Sequence, residues 1–338
     1  MTLIAQAMPA SDSWQQQLRN TVDTAEELLD ALDLLPEDVG YSAAACRQFA
    51  LKVPMAFVRR MQPGNPLDPL LLQVLASGDE LLEVVGFEQD PVGETGQVNP
   101  HRGVIHKYQG RALLIVSSGC AINCRYCFRR HFPYADNQNS RQQWQDALAY
   151  IAADPGINEV ILSGGDPLLP SDKYLDDLVT QIADIPQVRR LRIHTRLPVV
   201  LPARVTPGLI DAICAPGLQT VMVIHCNHPN EIDAEVQESL AVLAGSGITL
   251  LNQSVLLAGI NDDADTLCAL SERLFTAGVL PYYLHLLDKV RGAAHFDVSE
   301  QRAREIMSVV TARLPGYLVP KLVREVAGME AKQGIPLA

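Results

Sequence analysis

The chain has no apolar run that approaches the ~18 consecutive residues a membrane-spanning helix requires. Its start, MTLIAQAMPASDSW, lacks a basic leading region and a long apolar stretch, and it turns polar at Ser11, so no secretory signal is read there. Positive charge is also scarce. There are 27 Lys and Arg against 39 Asp and Glu, a net charge of -12. Nucleic acids and anionic membranes are held mainly by broad basic surfaces, so neither is expected as a partner. No internal repeat and no low-complexity tract interrupts the sequence. The cysteines number seven, which is odd. Cys46, Cys214, Cys226 and Cys268 stand alone in apolar surroundings, where a thiol behaves as a small buried hydrophobe. A chain without an export signal is expected in the reducing cytoplasm, which argues against a disulfide framework.

The 338 residues, 48% of them hydrophobic, can bury one large core or one core plus a smaller layer. Residues 1–100 read as an N-terminal helical extension and linker. Thr24 and Glu27 have capping-box spacing, and Leu28, Leu29 and Leu32 follow at helical intervals. Gln62 to Pro69 is rich in turn residues, and Asp90 to Gly103 reads as a polar, Gly/Pro-rich linker. From residue 101 to 338 the pattern becomes α/β. Apolar, β-branched runs fall at Ala112–Ser118, Glu159–Gly165, Arg189–Thr195, Thr220–Cys226, Thr249–Leu257 and Tyr282–Asp288. Helix-like stretches lie between them at Gln142–Ala153, Asp172–Ala183, Glu231–Ala244 and Asp265–Ala277. This alternation predicts parallel βαβ units, about six of them, and so a partial version of the eight-unit barrel. Polar clusters recur at the run ends: Cys120, then Gly164-Gly165-Asp166, then His194-Thr195-Arg196, with His225, Gln253 and Asp288 in or after later runs. In parallel α/β folds the carboxyl ends of the strands converge on the active site.

The remaining thiols crowd into SSGCAINCRYCFRRHF, as Cys120, Cys124 and Cys127. Two readings follow from the spacing. His131 could be the fourth ligand of a closed zinc site. Alternatively, three cysteines hold a 4Fe-4S cluster and leave one iron open to a ligand.

CAINCRYC resembles the CxxxCxΦC motif of the radical S-adenosylmethionine (SAM) superfamily, with Tyr126 as the aromatic before the third cysteine. LSGGD, at the end of the next strand, resembles the superfamily's second motif. There the backbone of Gly164 and Gly165, with Asp166, is implied to bind the SAM amino group; glycine lets a backbone edge come close. Gln253 is a further implied cofactor contact. The resemblance implies that one electron from the cluster cleaves SAM to a radical that takes hydrogen from an unactivated carbon. It also implies an electron donor such as flavodoxin or ferredoxin.

Longer strings narrow the resemblance: HKYQGRALLIVSSGCAINCRYCFRRHF, LSGGDPLL, RLPVVLPARVT, NHPNEI, NQSVLLAGIND and PYYLHLLDKVRGAAHF. Together, from about Val53 to the C-terminus, they resemble the lysine 2,3-aminomutase family, isomerases that also use pyridoxal 5'-phosphate (PLP). The resemblance implies that Lys332 carries PLP through its amine. It places Tyr108 and Arg111 near the PLP ring and phosphate, with Lys107 a further candidate. It gives Arg129 the substrate carboxylate and Asp288 the distal ammonium of L-lysine. Glu325 falls where the family has a second aspartate, a side chain one methylene longer. The sequence ends six residues after Lys332; the C-terminal zinc segment of longer family members is therefore not expected, and a smaller oligomer is. The short form resembles the subfamily that makes (R)-β-lysine for elongation factor P, so a ligase acting on that factor is an implied recipient. Three other roles stay open at this point: β-lysine for a metabolic pool, radical sulfur insertion or methylthiolation, and a non-catalytic zinc-loop binding protein.

Overall fold

The computed structural model describes residues 13–137, 141–214 and 217–337. Short helices open the chain, at Trp14–Arg19, Ala25–Asp30, Ala43–Gln48 and Met55–Val58. Thr24 caps the second through its hydroxyl, which accepts from Glu27 N (3.3 Å). Strands β1 (Thr21–Val22) and β2 (Val53–Pro54) pair antiparallel beside them. These segments do not form a separate core. Leu28, Phe57 and Leu70 belong to the same buried cluster as Leu114, Leu162 and Ile193 of the main sheet.

Among the described residues the main sheet has nine strands: β3 (Val104–Tyr108), β4 (Arg111–Ser117), β5 (Glu159–Gly164), β6 (Arg190–Thr195), β7 (Gln219–His225), β8 (Thr249–Val255), β9 (Leu280–His285), β10 (Lys321–Arg324) and β11 (Gln333–Gly334). They lie in sequence order. β4 to β10 are parallel, and the edge strands β3 and β11 run antiparallel to their neighbours. Helices Arg141–Ala153, Asp172–Ala183, Pro207–Ile213, Ala234–Gly245, Ala264–Thr276 and Glu300–Arg313 make the six crossovers. This is the α/β, partial-barrel architecture expected from the alternation. The parallel run has a seventh strand, β10, that the six apolar runs did not include.

Each crossover helix is placed by its pattern and cap. In Asp172–Ala183, Leu175, Leu178, Val179 and Ile182 form one buried stripe, and the Ser171 hydroxyl caps the first turn. Asp233 and Asp263 cap the two helices that follow β7 and β8. The helix expected from Glu231 therefore begins at Ala234, because Pro229–Glu231 forms a 3-10 turn first. The strands alternate. Along β6, Leu191 and Ile193 pack into the core while Arg192 and His194 face the other way. That inner face lines a cavity. No helix among the described residues is long and apolar enough to cross a membrane.

Candidate active site

The inner face of the sheet encloses one large cavity of about 590 Å³. Arg111, the first residue of β4, and Glu159, the first of β5, line it at one end. Cys120, Gly165 and Asp166, just past the carboxyl ends of the same strands, line it at the other. The cavity thus runs the length of a strand, roughly 20 Å for seven residues. It is not confined to the carboxyl edge, where the sequence pattern had placed the polar residues. Fourteen candidate residues line it together: Cys120, Cys124, Cys127, Tyr126, Arg129, Gly164, Gly165, Asp166, Gln253, Tyr108, Arg111, Asp288, Glu325 and Lys332.

At the carboxyl end, the cysteine loop is sewn to the N-terminal segments. Asn123 N donates to Lys52 O (2.9 Å) and Arg125 N to Gln73 O (2.9 Å). The Arg125 guanidinium, fully buried, forms a bidentate pair with Glu80 (2.8 and 2.6 Å), which also takes Arg130 (2.8 Å). The three thiols are free and partly accessible. Burial, reinforced by the neighbouring thiols, pushes Cys120 up and Cys127 up to about 11. Iron would have to displace those protons, as it does for any thiolate ligand. His131 does not complete a four-ligand set. It is absent from the cavity wall, and its Nε2 sits 3.2 Å from Arg291 O. Three accessible thiols on one loop, facing a cavity, suit a cluster with one open iron. Cys214, Cys226 and Cys268 are elsewhere: the first is exposed, and the others are buried in two different parts of the core.

The glycines of the second motif are required by close backbone packing. A Cβ on Gly165 would lie 2.1 Å from Gly119 O, and one on Gly164, whose φ is +122°, would lie 2.4 Å from Ser117 O. What excludes a side chain here is the root of the cysteine loop itself. Gly165 N and Asp166 N donate back to Ser117 O and Gly119 O (2.7 Å each). The Asp166 carboxylate is fully engaged, accepting from Thr195 Oγ1 (2.7 Å), Arg196 N (2.8 Å), Leu197 N (3.2 Å) and Leu168 N (3.0 Å). Burial raises it, against those bonds. It ties the end of β5 to the end of β6. Tyr126 presents its ring to the cavity and turns its hydroxyl to Asn227 Nδ2 (2.7 Å) and Gln73. Gln253 Nε2 lies 2.7 Å from His225 Nε2, whose ring burial holds down to about 3, so the imidazole is neutral and accepts.

The lysine end is built from both edges of the sheet. Lys332 Nζ donates to Glu325 Oε2 (2.7 Å), Lys107 Nζ to Glu325 Oε1 (3.3 Å), and Tyr108 Oη to the same oxygen. Burial works against the Glu325 charge, but Lys332 and these donors outweigh it and lower the carboxyl to about 2. The Arg111 guanidinium stacks over the Tyr108 ring at 4.4 Å. Gly328, at φ +78°, turns the chain between Glu325 and Lys332.

Two findings depart from the sequence reading. Asp90 to Gly103 is not a spacer. Val92 and Glu94 line the cavity, and Glu94 grips Arg129 bidentately (Nε 2.6 Å, Nη2 2.8 Å). Arg129 Nη1 is taken as well, by Ser163 Oγ (2.8 Å) and Gly164 O (3.2 Å). Burial opposes its charge, yet Glu94 raises it overall. A carboxylate from outside therefore meets a guanidinium whose side-on fork is already filled. Asp288 is the opposite case. Half-buried against the cavity, its carboxylate has no hydrogen-bond donor among the described residues, and burial raises it to about 7. Glu94 was missed because its one signal, an acid among Gly and Pro, is also the signature of an ordinary turn.

Residues 114–267 match the radical SAM superfamily. The chain is 51% identical over 330 residues to the L-lysine 2,3-aminomutase of Escherichia coli K12, covering 97% of this chain and 96% of that one. It is 49% identical to the L-lysine 2,3-aminomutase of Haemophilus influenzae, covering 94% and 93%. Among solved structures, a radical SAM methyltransferase from Sphaerobacter thermophilus aligns with TM-score 0.46 and 17% identity, over 65% of this chain and 68% of that one.

Proposed function

We propose, from the premise that the chain belongs to the lysine 2,3-aminomutase family of radical SAM isomerases, that it moves the α-amine of L-lysine to the neighbouring carbon with PLP held on Lys332. Family membership brings a 4Fe-4S cluster and SAM. When bound, the cluster and SAM supply a hydrogen-abstracting carbon radical, and PLP supplies a π-system across which nitrogen can migrate. Everything else falls to the chain. Cys120, Cys124 and Cys127 hold the cluster by three corners. The corner at Gly164-Gly165-Asp166, with Gln253 and the Tyr126 ring, holds SAM. Arg111 and Tyr108 receive the phosphate and ring of PLP.

Lys332 Nζ begins in an ion pair with Glu325. Its amine must pass on a proton before it can attack a carbonyl carbon, and Glu325 is the nearest group that holds that proton in place. Arg129 orients the substrate carboxylate. Asp288 and Glu325 fix the distal ammonium, which sets the chain length the cavity accepts. The walls exclude water from the reacting carbons.

One observation carries this reading: a single cavity joins the three thiols, which follow β4, to Lys332, which follows β10 at the other edge of the sheet, residues far apart in sequence. The product is the R form of β-lysine, handed to a ligase that acts on elongation factor P, with flavodoxin or ferredoxin as the electron source. The resemblance of the short form supports that destination. The test is anaerobic incubation with L-lysine, SAM, PLP and dithionite, followed by chiral analysis. (R)-β-Lysine is expected only when all four are present. Turnover by PLP-free protein would remove the Lys332 assignment, and an S product would remove the proposed destination.

A further inference from the structure

The arginine that follows β6 has contacts the proposed reaction does not use. Arg196 Nη1 donates to Cys124 Sγ (2.7 Å), one of the three cluster thiols. Its other terminal nitrogen, Nη2, donates to Gln73 Oε1 (2.7 Å) and Glu231 Oε2 (2.9 Å). Its backbone N is held by Asp166. The guanidinium also lies 5.3 Å from the Phe57 ring and 5.8 Å from that of Tyr126. Arg196 is 6% exposed and Glu231 0%. Glu231 is itself fixed, accepting from Gln73 Nε2 (3.1 Å) and Asn227 N (2.9 Å). The chain has therefore placed a full positive charge against a cluster ligand and a full negative charge directly behind it. Neither can swing to solvent.

We infer that Arg196 and Glu231 together set the reduction potential of the cluster, Arg196 raising it and Glu231 moderating the rise. Reducing the cluster adds one electron and makes no bond. The added negative charge is stabilised by a nearby cation and by hydrogen bonds to ligand sulfur. Inside a protein such charges act over several ångströms with little screening. A carboxylate behind the cation cancels part of its field. The inference uses only the cluster and does not depend on the reading of PLP or lysine.

The experiment is an EPR-monitored reductive titration of the reconstituted protein without SAM or lysine, with dithionite as the electron source. Iron and sulfide content are measured alongside. Arg196→Gln keeps a donor and removes the charge; it should shift the reduction equilibrium at least tenfold toward the oxidised cluster, which is 59 mV for a one-electron couple. Glu231→Gln removes the opposing charge and should shift it at least tenfold the other way. A purely structural pair would show shifts of one sign, or only loss of iron. Equal-sign shifts, or no shift in either variant, overturn the inference. If Arg196→Gln does not take up iron, the direction of the Glu231→Gln shift alone decides, and a shift toward the oxidised form refutes it.

Discussion

Replacing Asp288 by Asn should make the cofactor-free protein more stable, increasingly so as pH rises from about 3.8 to about 7. The carboxyl is raised from 3.8 to about 7, chiefly by burial, with Lys332 opposing and Glu325 and Glu94 adding to the rise. A folded state that keeps its proton longer than the unfolded chain loses stability as pH climbs from about 3.8 to about 7. At about 1.36 kcal/mol per unit, a ceiling of roughly 4 kcal/mol follows. Because the side chain is only half-buried, solvent screening reduces this, and about 2 kcal/mol is the expected effect. Asn has nearly the same shape, and no hydrogen bond to the carboxylate is lost. Urea midpoints of both proteins at pH 4.5 and pH 8 would check this. The variant should gain on the parent at pH 8 by more than it does at pH 4.5. A variant less stable at pH 8, or an unchanged gap, would refute the reasoning. The same carboxylate should ionise when an ammonium arrives. KM for lysine should therefore fall as pH rises toward 7, and Asp288→Asn should flatten that profile while SAM cleavage by dithionite persists.

Three further outcomes are expected. Lys332→Ala should abolish the PLP adduct trapped by borohydride; an adduct surviving on another lysine would displace the assignment. Glu94→Gln releases the side-on fork of Arg129 and should raise KM for lysine about tenfold, the loss of one charge-assisted bond, with kcat changed less; an unaltered KM would show that Glu94 does not position Arg129. Gly165→Ala puts a methyl against Gly119 O and should at least halve iron incorporation, measured as iron and sulfide per chain; full incorporation would mean the loop root yields freely.

The parallel strands were legible because buried strands read as continuous β-branched runs. Observed and expected ends differ by no more than two residues from β4 to β8 and by up to three at β9. β10 escaped because KLVR offers four residues with charges at both ends, and β3 because VIHKY becomes polar halfway. The helix Pro207–Ile213 was hidden behind prolines that punctuate its approach. In the site, thiols, paired glycines and a tail lysine were legible through motifs. Glu94, Glu80 and Glu231 were not. Their meaning lies in which buried arginine each meets across the fold, a long-range pairing that local pattern does not encode.

The two ends of the sheet meet through side chains. Lys107 and Tyr108, on the first strand of the sheet, reach Glu325, just beyond the strand next to its last. A ring sealed by a backbone ladder opens only by unzipping rungs together. A ring clasped by three polar fingertips can unclasp and close again with every parallel rung intact. The seam between the first strand and β10 therefore rests on side chains, while the neighbouring strands are held by backbone rungs.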